Sequence, residues 1–309
     1  MTCNEEANYY KVQYSNTNQE KYYECLNSLT DTYIYMEVLA ALNVVYKSRK
    51  SRNPNELLSF ILDNLHSELN EKTGNYNINN NNNNNLYDKN SVIQNGVYNF
   101  ANSNDSLISR LFNWFEIKEY QCQRCSRSKY NFYTFNTFEL DISGTYAFKN
   151  NYSKGNAITL IDCIQHQQNK RNEQKSLCNI CRQYTKFQSH SQIFSSPNIF
   201  IFSMNRESSG NNLFKIPFLI EEKIDLTFLV EKKESFQIYE LIGIVSINPQ
   251  NWQYISFCKS FVDNNWFSYS DEKGIIQIEL STILNMHNSG FTYVPLILLY
   301  NNNNHNNNH

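Results

Sequence analysis

Two pairs of cysteines, Cys122-Gln-Arg-Cys125 and Cys178-Asn-Ile-Cys181, carry the clearest chemical signal in this sequence. A Cys-x-x-Cys turn can present two thiolates to one ion, and two such turns complete a tetrahedral four-sulfur shell. That shell leaves no coordination position open, so the ion expected there, zinc, supports folding and does no chemistry. A redox dithiol is the competing reading of a single pair, but two matched pairs without a thioredoxin-like context favour the metal. The 52 residues between Cys125 and Cys178 exceed the loop of a compact zinc finger, so the site is expected to tie together two strand hairpins. Four cysteines remain. Cys163, on the apolar side of a short predicted helix, and Cys258, within a predicted strand, read as core thiols; Cys3 falls in a mobile terminus, and Cys25 reads as a half-buried thiol or a nucleophile.

The chain that must position these thiols has 309 residues, enough for a substantial core. It is 40% hydrophobic with 22 Tyr, 20 Phe and 3 Trp, against 8 Gly and 5 Pro. Such a chain buries large rings and economises on turn glycines. A net charge of −2 with 18% charged residues favours neither nucleic acid nor an acidic membrane as partner. No stretch approaches the ~18 consecutive apolar residues of a transmembrane helix. The segment Met1 to Tyr10 is polar and acidic and lacks the basic and apolar regions of a secretory leader. A cytoplasmic or nuclear, reducing location is therefore expected, and disulfides are not.

Asparagine dominates the polar composition. Residues 74–90, with the run Asn79 to Asn85, and the tail 301–309, with His305 and His309, offer no apolar face to bury. Both are expected to be disordered, as is the segment 1–20. Helical spacing runs through Thr30–Asn70: Tyr35, Met36, Leu39 and Leu42 recur at three to four residues. A second helix is predicted over about Asn55 to Leu69, with the stripe Leu57, Leu58, Ile61, Leu62, Leu65 and Leu69. A shorter one is predicted over Asp105–Phe115. After Lys118 the texture turns aromatic and β-branched, as in Tyr130–Ile142, which suits strands. A helix over Thr159–His166 interrupts, and strand-like runs follow over Ser195–Met204, Lys223–Phe228, Tyr239–Ile247, Trp252–Lys259, Trp266–Tyr269 and Tyr293–Tyr300. Helices first and a large, mostly antiparallel sheet afterwards predict an α+β fold.

With these elements placed, the chain resembles the catalytic domain of ubiquitin-specific proteases, the deubiquitinating cysteine peptidases. The blocks that carry the resemblance run in the family's order. Asn55-Glu56-Leu57-Leu58 through Asp63, Leu65, His66 and Leu69 is similar to its "LLD.LHEEL" helix. Ser106–Phe112 followed by Cys122 and Cys125 resembles the stretch entering the zinc-bearing fingers. Thr159–Ile164 precedes the second pair, Cys178 and Cys181. Ser196–Arg206 resembles "lP.iLiihLkRf", Tyr239–Val245 "YeLigvv", Trp266–Tyr269 "WykF" and Tyr293–Tyr300 the terminal strand. The resemblance implies a papain-like fold over 21–300, with a helical thumb over about 21–116, zinc-ribbon fingers over about 117–194 and a β-rich palm over about 195–300. It further implies ubiquitin or a ubiquitinated protein as partner.

A papain-like isopeptidase needs a thiolate, a histidine to take its proton, and an Asp or Asn to orient that histidine. Where the family reads "GGHYvay", this chain reads Asn251-Trp252-Gln253-Tyr254. Gln253 thus stands at the position of the general base, and a carboxamide does not accept a proton near pH 7. Ser270 occupies the place of the orienting Asp or Asn, followed by Asp271. Alignment of Asn27-Ser28 with the family's cysteine box puts Glu24 at the nucleophile, or Cys25 after a one-residue gap, and no counterpart of the oxyanion-supporting Asn precedes them. Cys25 also lies 31 positions before Glu56, a shorter stretch than the family has. His66 reads as structural, His166 and His190 fall in the fingers span, and His287 lies in a polar segment before the last strand. The expected function is a pseudoenzyme that binds ubiquitin or acts as a scaffold. Two alternatives stay open: an active thiol-dependent deubiquitinase, and a zinc-stabilised adaptor that does not bind ubiquitin.

Overall fold

A computed structural model describes residues 53–72, 86–152, 156–204, 206, 215–229, 237–289 and 292–302. The chain divides into two units, Met1–Asn53 and Pro54–His309; the described residues, Asn53 apart, belong to the second. Cys3, Glu24, Cys25, the helical pattern over 30–50, the Asn79–Asn85 run, His305 and His309 lie outside the described residues.

Three helices come first. α1 (Pro54–Leu69) carries the predicted stripe, but only Leu62 of it is buried, while Leu65 and Leu69 remain 40% exposed. α2 (Lys89–Ser103) is capped by Asp88, whose carboxylate accepts from the Ser91 amide. Nothing in the asparagine-rich sequence announced it, and its first two residues lie in the segment expected to be disordered. It is held by packing on a strand: a Cβ at Gly96 would sit 2.3 Å from the Phe132 ring, so only glycine permits that approach. α3 (Leu107–Phe112) starts on a capping box between Ser106 and Ser109 and is shorter than predicted, because Trp114 and Phe115 already belong to a strand.

A four-stranded antiparallel sheet follows, built from β1 (Trp114–Cys122) and β2 (Ser128–Phe135) and completed by β5 (Asn172–Cys178) and β6 (Gln183–Ser195), in the order β2-β1-β6-β5. Between its two hairpins the chain makes β3 (Phe138–Glu139), α4 (Ile142–Tyr152), β4 (Ile158–Thr159) and α5 (Leu160–Asn169). The Tyr130–Ile142 run is therefore not all strand; it ends at the start of α4. α5 starts where the sequence placed it, on a reciprocal cap between Thr159 and Asp162, and buries Cys163 among core side chains. Burial pushes the Cys163 thiol up to about 12, so it is an inert core group.

The larger sheet has eight strands. β7 (Ile199–Ser203), β9 (Lys223–Asp225), β10 (Ile238–Asn248), β11 (Gln253–Lys259), β12 (Trp266–Ser270), β13 (Gly274–Ile278) and β14 (Val294–Asn302) join β3, in the order β13-β12-β11-β10-β14-β7-β3 with β9 beside β10. A short β8 (Phe218–Leu219) pairs β4. Both faces of this sheet are apolar at its centre. Phe200, Phe202, Tyr239 and Tyr300 pack with α5 and with α6 (Leu280–Asn288) in one cluster. Ile201, Ile247, Val294 and Ile297 meet Leu62 of α1 and Ile108 of α3 in another. The buried phenols keep partners: Tyr239 donates to the Pro197 carbonyl and Tyr300 to that of Glu221, both at 2.5 Å.

Three expectations need correction here. Cys258 is exposed on β11 and is not a core thiol, because strand alternation sends its neighbour Phe257 inward instead. His287 sits on a helix, α6, and is buried. Asn301 and Asn302, expected to be disordered, instead continue β14, and Asn302 is buried, its amide donating to Asn198 and its carboxamide to Gln237.

Candidate functional site

The two Cys-x-x-Cys turns occupy equivalent places at one end of the four-stranded sheet. Cys122 ends β1 and Cys178 ends β5, so each pair starts on the last residue of a strand and turns back through the hairpin. In each turn the residue after the second cysteine takes a left-handed conformation, Ser126 at φ 56° and Arg182 at φ 54°. The amide of that residue donates to the carbonyl of the first cysteine, at 2.9 Å in one turn and 2.7 Å in the other. This repeated geometry aims both thiols of a turn the same way.

The four sulfurs converge. Cys122 Sγ lies 4.0 Å from Cys181 Sγ, Cys125 Sγ lies 3.8 Å from Cys178 Sγ, and all four are within 4.8 Å of one another. A tetrahedral zinc site with Zn–S near 2.3 Å requires edges of about 3.8 Å, so the set could hold a zinc ion with little movement. The separations are far too long for disulfides, and the six described cysteines are all free. Cys122 is drawn down to about 6: burial alone would raise it, but the Thr185 hydroxyl at 3.2 Å and the amides of Cys125 and Arg124 outweigh that. Burial and the three neighbouring thiols push Cys181 the other way, up to about 12. Thr185 was not singled out by the sequence, although its place four residues after Cys181, one strand face away from the turn, could have pointed to it.

Gln253 and Ser270, expected from the resemblance at the positions of the base and the orienting group, lie on β11 and β12. Gln253 opens β11, exposed, and its carboxamide is committed on both sides. Its Nε2 donates to Glu272 Oε1 and its Oε1 accepts from Asn251 Nδ2, each at 2.5 Å. Ser270 closes β12 and its Oγ accepts the Lys273 amide at 3.2 Å, within the turn to β13. Gln253 and Ser270 therefore do not bond each other. The β11–β12 register, Ser256 opposite Tyr269 with Phe257 opposite Ser268, runs on to bring Gln253 level with Glu272. Glu272 is the partner that residue-by-residue alignment missed and strand register would have found.

No imidazole among the described residues hydrogen-bonds Gln253 or Ser270. His66 is held by Ser106 Oγ at 2.6 Å and Asn104 Oδ1 at 3.0 Å, where it joins α1 to the start of α3. His190 bonds the Ser191 carbonyl on β6, His166 packs on Phe148, and His287 bonds Ser246 and Ile283.

Beside Gln253, Trp252 adopts φ 60° and is 53% exposed. The backbone keeps the conformation that suits a glycine, and a bulky residue is strained there. Trp252→Gly relieves roughly 1–2 kcal/mol of left-handed strain against a glycine entropy cost of about 0.5–1 kcal/mol. The expected result is a rise in the urea midpoint at unchanged m-value; a lowered midpoint would mean that ring contacts outweigh the strain.

The solved structures similar to this chain include two of one assembly. The SAGA DUB module of Ubp8, Sgf11, Sus1 and Sgf73 bound to monoubiquitin matches with a TM-score of 0.60 at 18% identity, over 88% of this chain and 53% of that one. The same module bound to ubiquitin aldehyde matches with a TM-score of 0.59 at 18% identity, over 88% and 54%. This chain thus spans about half the length of the chains it matches, and at this identity the likeness establishes the fold, an α+β arrangement of the papain-like kind. The family model described as ubiquitin carboxyl-terminal hydrolase matches residues 5–300, nearly the whole sequence, and the chain accordingly belongs to that family, the ubiquitin-specific proteases.

Proposed function

We propose that this protein binds ubiquitin, or a ubiquitinated protein, as a member of its family that has given up hydrolysis. The observation that carries this reading is the fate of Gln253. A carboxamide anchored between Asn251 and Glu272 at the base position has neither the basicity nor the freedom to ionise a thiol. Ser270, turned into its own hairpin, offers no carboxylate to brace an imidazole. Support for the partner comes from the family and from the ubiquitin complexes among the similar structures.

In this reading the thumb lies within 21–116, the fingers within 117–194 and the palm within 195–300. Cys122, Cys125, Cys178 and Cys181 hold one zinc ion, which supplies a crosslink between two hairpins and leaves no position for a substrate. Among the described residues no helix is long and apolar enough to cross a membrane, and the cytoplasm or nucleus is the proposed location.

A ubiquitin carrying a C-terminal vinyl electrophile tests the chemistry, and titration with labelled ubiquitin tests the binding. The expected result is micromolar binding with no covalent adduct. An adduct that disappears in Cys25→Ala would establish an active thiol enzyme, and absence of binding at high micromolar concentration would establish an adaptor that does not engage ubiquitin. Either outcome overturns the proposal.

A further inference from the structure

The end of the four-stranded sheet presents a second surface, separate from the cleft positions on β11 and β12. On the β5–β6 hairpin Leu177 lies directly opposite Tyr184, and Ile180 sits in the turn between them. They are 48%, 80% and 48% exposed. Strand alternation explains why Leu177 and Tyr184 share a face: Cys178, next to Leu177, points to the sulfur cluster, so Leu177 and its partner Tyr184 point away from it. Nothing in the metal site or the core uses these three side chains. Three large apolar residues clustered on an outer hairpin face mark an interaction site more often than scattered ones do.

The surrounding charge is one-sided. Between residues 120 and 137, and again between 174 and 204, the sequence contains no Asp or Glu. Lys175 lies opposite Lys186 one face-repeat along the hairpin from the Leu177–Tyr184 pair. Arg182 sits in the same turn as Ile180, and Arg124 and Arg127 sit in the neighbouring cysteine turn; all three are exposed. Among the described residues only Lys186 of these five has an ion pair, a 3.6 Å contact with Glu173 in which both side chains are more than 60% exposed. A chain with net charge −2 thus concentrates unneutralised positive charge around its apolar fingertip.

From this combination we infer that the outer face of the β5–β6 hairpin docks an acidic protein segment bearing aliphatic or aromatic anchors. The anchors cover Leu177, Ile180 and Tyr184 while carboxylates meet Lys175, Arg124, Arg127 and Arg182. Single-stranded nucleic acid answers the charge but not the rest: it binds through stacking on aromatic faces, and two of the three exposed residues are aliphatic. Basic residues ringing a desolvated apolar centre match the usual anatomy of a protein interface, with a polar rim steering the partner.

The test uses the full-length, metal-loaded protein and a short fluorescent peptide in which Glu and Asp flank two Leu and one Phe. A peptide of equal charge with the apolar residues replaced by Ser, an oligothymidylate and unlabelled ubiquitin serve as comparators. The acidic apolar peptide is expected to bind, and the affinity to fall about tenfold or more both in Leu177→Ser with Tyr184→Ser and in Arg124→Glu with Arg182→Glu. Bound metal and melting temperature should stay at wild-type values, since the altered side chains are exposed; Lys175→Glu gives an independent reading should a double variant fold poorly. Equal binding of the Ser-substituted peptide, tighter binding of the oligonucleotide, displacement of the peptide by ubiquitin, or indifference to the substitutions would each overturn the inference. Because ubiquitin is scored separately, the outcome does not depend on whether the cleft binds it.

Discussion

Replacing Cys178 by Ser is expected to abolish stoichiometric zinc and to unfold the far end of the four-stranded sheet while leaving the eight-stranded sheet intact. The reason is the size of the cores. Around the sulfurs only Tyr120, Cys122, Cys178 and Phe187 are buried, with Cys125 and Cys181 packed against them. The main cluster, by contrast, joins rings and aliphatic side chains from β7, β10, β14, α5 and α6. A core of four buried residues, two of them cysteines, cannot offset the entropy of ordering two hairpins. Zinc can, since binding to four-sulfur or related sites contributes about 10–16 kcal/mol in zinc-finger peptides. Elemental analysis should find one zinc per wild-type chain and none in Cys178→Ser. Amide exchange should lose protection over Tyr120–Tyr130 and Lys175–Phe187 in the variant, or in wild type after strong chelation, with β10 and β14 still protected. Wild-type protein that contains no metal and keeps this protection in chelator would show that the thiols pack without an ion.

Acid should weaken the protein through His287 as the pH falls below about 6.5. His287 Nδ1 lies 2.7 Å from the Ile283 carbonyl, which can only accept, so that nitrogen carries the proton. The other nitrogen, Nε2, must then accept from the Ser246 hydroxyl at 2.8 Å. Ser246 is fully buried, His287 is nearly so, and Phe257 and Tyr293 pack against the ring. Burial pulls this imidazole down to about 4 from an ordinary 6.5. The folded state therefore binds fewer protons than the unfolded chain between those values. Its stability is full above about pH 6.5 and falls as the pH drops toward 4. The whole displacement corresponds to about 3 kcal/mol, a large share of a typical domain's stability. His287→Gln can still accept from Ser246 but cannot be protonated, so it should flatten that acid slope at little cost near neutrality. His287→Ala should cost about 2–4 kcal/mol at pH 7, because it opens a cavity and strands a buried hydroxyl. Parallel pH profiles of urea stability for wild type and His287→Gln would contradict this account.

His287 also shows where sequence reading stops. Leu280, Ile283, Leu284 and His287 recur at helical spacing, so the pattern of α6 was present in the sequence; what it did not show is that the histidine completes that stripe and is buried with Ile283 beneath β10 and β11. α2 is a second instance. Its apolar residues are sparse and Gly96 interrupts it, so local propensity argues against a helix, yet the fit of Gly96 on Phe132 and the Asp88 cap sustain one. Asn301 and Asn302 are a third: composition says that they have no apolar face, but not that neighbouring strands will supply hydrogen-bond partners for both backbone and carboxamide.

The sequence by itself determined the features that depend on residue type at short spacing. These are the two cysteine turns, the capped α5, the strand runs of the large sheet, and a carboxamide, Gln253, where the resemblance leads one to expect a basic imidazole. Each needs only neighbouring residues to be recognised, because turn geometry, capping and proton affinity are local properties. Tertiary structure alone decided what those residues meet. It brought together sulfurs 59 positions apart in the chain, bonded Gln253 to Glu272 instead of to Ser270, turned Cys258 outward and His287 inward, and left Leu177 and Tyr184 facing solvent side by side. Register, burial and convergence arise from long-range pairing, in which a shift of one residue exchanges the two faces of a strand.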